Sequence, residues 1–232
     1  MTTTTTLTVD IWSDLVCPWC YIGKRRFDQA LAAHPGRERV QVRWRSFELD
    51  PGGSREPTLT LPERAHRDLG GTGSDNDRRM AMVTDLAAKE GLVYRLDRAR
   101  PVNSFDAHRL MQYAEREGRG EAVRERLMGA YVAEGAVLSD HETLVLLAAG
   151  CGLDPGATRA MLAGGDFAEE VRADERRAME LGVSGVPTFV FGGRYAVSGA
   201  QPAEIFAQVL DEAWPKGPAD RGDGVCEVGG AC

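Results

Sequence analysis

Two cysteines, Cys17 and Cys20, enclose Pro18 and Trp19. They lie between the apolar-rich segment 7–12 and a helix-like run over 21–33, so the context reads strand, tight turn, helix. A thiol at the first turn of a helix meets unpaired backbone N–H groups and the positive end of the helix dipole, and both favour its thiolate. Cys17 is therefore the expected nucleophile. Pro18 suits the first helical position, because its φ is preorganised and an N–H there would have no partner. Cys20 comes round to face Cys17, and a dithiol held this way closes to a disulfide and reopens with little backbone movement. The chemistry this spacing points to is thiol–disulfide exchange. Half of a zinc site and an inert structural bridge are the competing readings. Zinc needs two more ligands, and the sequence has no second C-x-x-C and no H-x-x-x-H, so no metal is expected.

The elements that must position these thiols follow in chain order. Residues 7–12 mix alternation with β-branched side chains and read as a first strand. Asp10 is its odd member. Pointed inward near the thiols it would be a buried carboxylate relaying protons to Cys20, whereas a surface position at a strand edge is the commoner fate of such a residue. Ile22, Phe27, Ala30 and Leu31 repeat at helical spacing until Pro35-Gly36 stops the run. Val40, Val42 and Trp44 alternate with Gln41, Arg43 and Arg45, giving a second strand. Strand, helix and strand make a βαβ unit with parallel strands and a right-handed crossover. From residue 75 to 181 the strand signal fades, and helical runs follow at about 76–90, 104–117, 119–133, 140–150, 155–163 and 167–181, with a short helix around 62–69 before them. Strand texture returns at Val186 to Phe191 and again at Arg194 to Ser198, joined by Gly192-Gly193, a link that accepts the positive φ of a tight hairpin. A final helix runs from Pro202 to Trp214. The expected fold class is α/β, ordered β-α-β, helical insertion, β-β-α. Its divisions are 1–50 and 182–214 for the two halves of the α/β domain, 51–181 for the insertion, and 215–232 for a flexible tail holding Cys226 and Cys232.

A chain of 232 residues is long enough to bury a substantial core as one domain with an insertion. Its net charge of −7 and pI near 5.2 argue against a nucleic-acid binder, and Lys24-Arg25-Arg26 reads as a solvated helix face. The start, Met1 and five threonines, has no basic region and no long apolar run, so a cleaved secretion signal is not expected; nor does any segment approach membrane-spanning length. Five cysteines do not make a disulfide scaffold here, and the cytoplasm is the expected compartment.

The C-x-x-C after the first strand and Val186-Pro187-Thr188 opening the third resemble the thioredoxin fold of the DsbA-like superfamily. Within it, Phe47-Glu48-Leu49, residues 103–110 (Asn-Ser-Phe-Asp-Ala-His-Arg-Leu) and Ser198-Gly199-Ala200-Gln201 resemble the FrnE-type branch of dithiol–disulfide oxidoreductases or isomerases. The resemblance spans roughly residues 7–214. It implies a cis peptide at Val186-Pro187 facing the dithiol, with the Val186 backbone pairing to an extended substrate. It also suggests Asn103, His108 and Gln201 as lining of the cleft between the domains. Each has a plainer role on offer: Asn103 capping its helix, His108 as a hydrogen-bonded interface histidine, and Gln201 capping the last helix.

The leading expectation is thus an oxidoreductase in which Cys17 attacks a disulfide and Cys20 resolves it, Pro18 and Trp19 tuning the pair. The expected partners are a protein or small-molecule disulfide and a cellular thiol reductant, with no membrane and no nucleic acid. No tightly bound cofactor is expected; glutathione is considered as co-substrate and a homodimer as the assembly. Cys226 and Cys232 are considered as an accessory redox pair exchanging with the first. The alternative is isomerisation of a small aromatic or polyketide-type molecule, as in hydroxychromene-carboxylate isomerases and kappa-type glutathione transferases. Those relatives resemble this architecture but usually carry serine where Cys17 stands. A redox-controlled binding module is the non-enzymatic reading.

Overall fold

The computed structural model describes residues 6–214, so Cys226 and Cys232 lie outside the described residues. The chain opens with β1 (Leu7–Ser13), α1 (Pro18–Ala33) and β2 (Val40–Ser46). β1 and β2 pair in parallel, with Val9 beside Val42 and Ile11 beside Trp44. After the insertion come β3 (Thr188–Phe191), β4 (Tyr195–Ser198) and α9 (Ala203–Ala213). β3 runs antiparallel to β1 and β4 antiparallel to β3, giving the sheet order β2-β1-β3-β4. Gly192 and Gly193 both take positive φ, 57° and 67°, as a two-residue hairpin link requires.

Alternation in β1 turns Leu7, Val9 and Ile11 to one face of the sheet. There they pack with Phe27 of α1, Phe189 and Phe191 of β3, and Phe206 and Leu210 of α9. Trp12 points the other way, against Ala178 of α8 (Ala168–Glu180), and its indole N–H donates to the Asp174 carbonyl at 2.9 Å. This is the α/β architecture expected, with helices on both faces.

Between β2 and β3 the chain is helical: α2 (Leu61–Leu69), α3 (Gly73–Lys89), α4 (Phe105–Arg116), α5 (Gly120–Gly129), α6 (His141–Ala149), α7 (Pro155–Ala163) and α8. Local chemistry sets their starts. Thr60 with Glu63 and Thr72 with Asp75 form capping boxes, which is why α3 begins before residue 76. Asp140 and Asp154 accept from the Thr143 and Ala157 amides. The single helix expected over 119–133 is instead α5 followed by a π-helical turn, Ala130–Glu134, closed by Gly135 in the left-handed region. Residues of these helices share one apolar cluster with Cys17, Cys20, Tyr21 and Ile22, so the insertion packs directly onto the start of α1.

The basic run 24–26 is not the solvated face it reads as. Lys24 is buried and reaches Asp28 at 2.7 Å and Glu121 of α5 at 2.5 Å. Arg25 pairs with Glu125, and Arg26 binds Glu90 at 2.6 Å and the Ala200 carbonyl at 2.7 Å. Three cations clustered on α1 are neutralised by carboxylates brought from the insertion.

Candidate active site

β1 ends at Ser13, and the short link 14–16 delivers Cys17 to the N-cap of α1 with Pro18 as the first helical residue. Cys17 has extended backbone angles, and its carbonyl accepts from the Cys20 amide at 3.1 Å. Both thiols are buried, Cys20 almost completely. Burial and the adjacent Cys17 sulfur push the Cys20 thiol well above the ordinary thiol range, while the Asp14 amide, 3.4 Å from its sulfur, works in the opposite direction.

The Val186–Pro187 peptide bond is cis, as the resemblance implies. The Val186 carbonyl stands 3.9 Å from the Cys17 sulfur, so this segment faces the dithiol just ahead of β3. Gly23 permits the approach. A Cβ there would lie 2.9 Å from Cγ of Pro187 and 3.5 Å from the Phe189 ring, so only a residue without a side chain lets α1 sit this close to the proline.

Asp10 does not relay protons to Cys20. Alternation along β1 puts its side chain on the face that carries Trp12, and its carboxylate accepts from Arg43 at 2.8 and 2.9 Å and from Arg45 at 2.9 Å. The buried carboxylate at the thiols is Asp14, which has no exposure to solvent. Its backbone touches both cysteines: the N–H donates to the Cys20 sulfur, and the carbonyl accepts from the Cys17 amide at 3.4 Å. Its side chain accepts from the Val16 amide at 3.2 Å and the Leu49 amide at 2.8 Å. His108 Nε2 lies 3.4 Å from the same carboxylate and 3.1 Å from the Phe47 carbonyl; two acceptors face that nitrogen, so it carries a proton. Burial pulls the His108 pKa down. The Asp14 carboxylate beside it, with the Glu48 and Glu175 charges behind, outweighs that pull and leaves it raised above the ordinary imidazole value.

Of the cleft residues suggested by resemblance, His108 and Asn103 are buried and engaged, and neither reaches the open space at Cys17. Asn103 donates to Glu48 at 2.8 Å and the Pro51 carbonyl at 3.2 Å and accepts from the Phe105 amide at 3.1 Å; the N-cap of α4 is Ser104, so Asn103 meets the first helical amide from the residue before the cap and is not the cap itself. Gln201 is exposed; its amide donates back to the Ser198 carbonyl at 2.9 Å and does not cap α9.

The open space is an apolar cavity of about 280 Å³ on the insertion side of the dithiol. Cys17, Pro18 and Trp19 form one wall, α2 and α3 contribute Leu61, Ala65 and Met80, and Tyr131 reaches it from the π-helical turn. Tyr94 braces the first wall, its hydroxyl donating to the Pro18 carbonyl at 2.7 Å. Among the described residues no cluster of three or more His, Cys, Asp or Glu side chains is arranged to hold a metal ion, and no helix is long and apolar enough to cross a membrane.

Sequence reasoning missed Asp14 and Tyr131. Asp14 had a signal, a carboxylate three residues before the first cysteine, flanked by the apolar Leu15-Val16. Tyr131 had none, because a π turn shifts the helical phase without changing composition.

A four-stranded sheet in this order, with a dithiol at the start of α1 facing a cis-proline, defines a thioredoxin-fold protein with a helical insertion. More narrowly, residues 8–211 match the DSBA-like thioredoxin domain, and the chain belongs to that family. It is 44% identical to a probable DsbA oxidoreductase from Streptomyces coelicolor, over 91% of this chain and 92% of that one, with a TM-score of 0.88. It is 26% identical to the uncharacterized protein YwbO of Bacillus subtilis (strain 168), over 91% of this chain and 99% of that protein. The cytosolic disulfide reductase DsbM of Pseudomonas aeruginosa, solved with glutathione, shares the fold at 20% identity, a TM-score of 0.58, and coverage of 88% and 98%.

Proposed function

We propose that this protein is a dithiol–disulfide oxidoreductase working through Cys17 and Cys20. The Cys17 thiolate attacks one sulfur of a substrate disulfide, forming a mixed disulfide and releasing the first substrate thiolate. Cys20 then loses its proton and its sulfur attacks that of Cys17, releasing the second thiolate. Two electrons pass from the dithiol to the substrate, and the Cys17–Cys20 disulfide is reduced again by two equivalents of a thiol such as glutathione. The same steps run backward oxidise a substrate dithiol. A raised Cys20 pKa suits this order, since a buried thiol that holds its proton does not compete with Cys17 for the first attack. Asp14 and His108 are positioning residues that hold the link before Cys17 and the amide facing Cys20. We place the reaction in the cytoplasm, where glutathione is the abundant thiol.

The observation that carries this reading is the retention of a second, buried thiol behind a first one that faces the Val186 carbonyl across the active-site gap. Isomerisation of a small molecule in the same cleft does not need the second thiol. Cys20→Ser separates the two: exchange predicts a mixed disulfide that accumulates on Cys17, seen as an added mass released by reductant, and turnover that stops. Undiminished turnover of a small molecule by Cys20→Ser, with no trapped adduct, would move the assignment to an isomerase.

A further inference from the structure

β1 ends in a hydroxyl that nothing claims while the dithiol is reduced. Ser13 is buried, Cys17 and Cys20 are both free thiols, and the Ser13 Oγ has no hydrogen-bond partner among the described residues. A buried hydroxyl left unpaired is costly, and native structures satisfy nearly all of them. Alternation along β1 turns Leu7, Val9 and Ile11 towards α1, and Ser13, the next position of the same parity, extends that row to where α1 begins. The residue after it, Asp14, already puts its amide 3.4 Å from the Cys20 sulfur. Through its hydroxyl, Ser13 is also among the groups that pull the Cys20 thiol down, against the larger upward push of burial.

The second step of exchange leaves Cys20 short of donors. Once Cys17 is bound in a mixed disulfide it has no proton to share. Tyr94, reaching the first turn of α1 from the insertion, gives its only hydroxyl hydrogen to the Pro18 carbonyl. The Asp14 carboxylate is an acceptor, already held by the Val16 and Leu49 amides and faced by His108. A thiolate on Cys20, whose residue is 1% exposed, would have the Asp14 N–H and no water shell. We propose that the Ser13 hydroxyl is its second donor, turning to the Cys20 sulfur as the proton leaves and holding the thiolate while it attacks Cys17. This rests on the exchange reading above and adds to it a catalytic residue for the resolving step. The Cys20 proton passes to water, the Cys20–Cys17 bond forms as the bond from Cys17 to substrate breaks, and the departing substrate thiolate takes a proton from water; two electrons leave the dithiol. A hydrogen bond made only to the charged sulfur lowers the barrier without stabilising the resting thiol, and an unpaired hydroxyl is the cost retained for it.

The test is a single turnover of the full chain with one equivalent of dithiodipyridine, in a background of Cys151→Ser, Cys226→Ser and Cys232→Ser so that only the active-site pair reports. One thiopyridone is released when Cys17 attacks and a second when Cys20 resolves. Ser13→Ala should leave the first release unchanged and slow the second about tenfold. Its urea midpoint should stay level or rise, because a buried unpaired hydroxyl has been removed. A second release as fast as that of the parent would overturn the proposal. So would an equal slowing of both releases, or a lowered urea midpoint, either of which would make Ser13 a structural residue. Failure of the exchange reading itself looks different: the parent protein would then show no second release that Cys20→Ser abolishes.

Discussion

Asp14 ties the site together, because its N–H donates to the Cys20 sulfur, its carbonyl accepts from the Cys17 amide, and its carboxylate holds Val16, Leu49 and His108 beside them. An amide in its place offers one acceptor and turns a donor on an amide N–H. Asp14→Asn should therefore destabilise the fold by about 1–3 kcal/mol in urea denaturation. His108 adds a pH signature. Its folded pKa is raised, so the stability it contributes is fully present below about pH 6.5, its unfolded value, and is lost as pH rises through the higher folded one. The difference in unfolding free energy between the native protein and His108→Gln should shrink across that rise; a difference that grows with pH would contradict the Asp14–His108 pairing. Both thiols were legible in the sequence because C-x-x-C is a local pattern; the cis-proline was legible only through the family resemblance, since an X-Pro pair opening a strand is ordinarily trans. Asp14 was not legible as the carboxylate at the thiols, because telling it from Asp10 takes the pleat of β1 and the two arginines of β2 that claim Asp10.

At the level of elements, α1 is held against β3 by the absence of a side chain at Gly23. Gly23→Ala should push Pro187 away from the dithiol, costing about 1–3 kcal/mol of stability by overpacking and slowing exchange beyond the fraction unfolded. Denaturation and turnover measured on one preparation separate the two effects. Among the described helices α2, α3, α6 and α7 carry side-chain caps at their starts, and glycines such as Gly91, Gly118, Gly150 and Gly164 follow helix ends, which made those boundaries legible; α6 and α7 begin directly after Asp140 and Asp154. The run at 119–133 was not resolved into α5 and a π turn, since the extra residue in that turn leaves hydrophobic periodicity nearly intact. That lost phase concealed Tyr131, and with it the inner wall of the cavity.

Across the whole molecule, the insertion and the α/β domain are joined by packing at the start of α1 and by ion pairs that its basic run makes with α3 and α5. Burial would lower the Lys24 pKa, but Asp28 and Glu121 outweigh it and leave it raised; its contribution is present below about pH 10.4 and lost as pH climbs through the folded value. Lys24→Met should cost about 1–3 kcal/mol, at the lower end because Asp28 and Glu121 are themselves open to solvent. Sequence could not reveal this seam, as three adjacent cations look the same whether water or carboxylates surround them. The central claim, that the molecule exists to pass electron pairs through Cys17 and Cys20, is tested most directly by the midpoint potential of that pair. Equilibrating the protein in glutathione buffers and trapping the thiols should give one reversible two-electron transition that disappears in Cys17→Ser. Thiols that stay reduced at every ratio of glutathione to its disulfide would contradict the account.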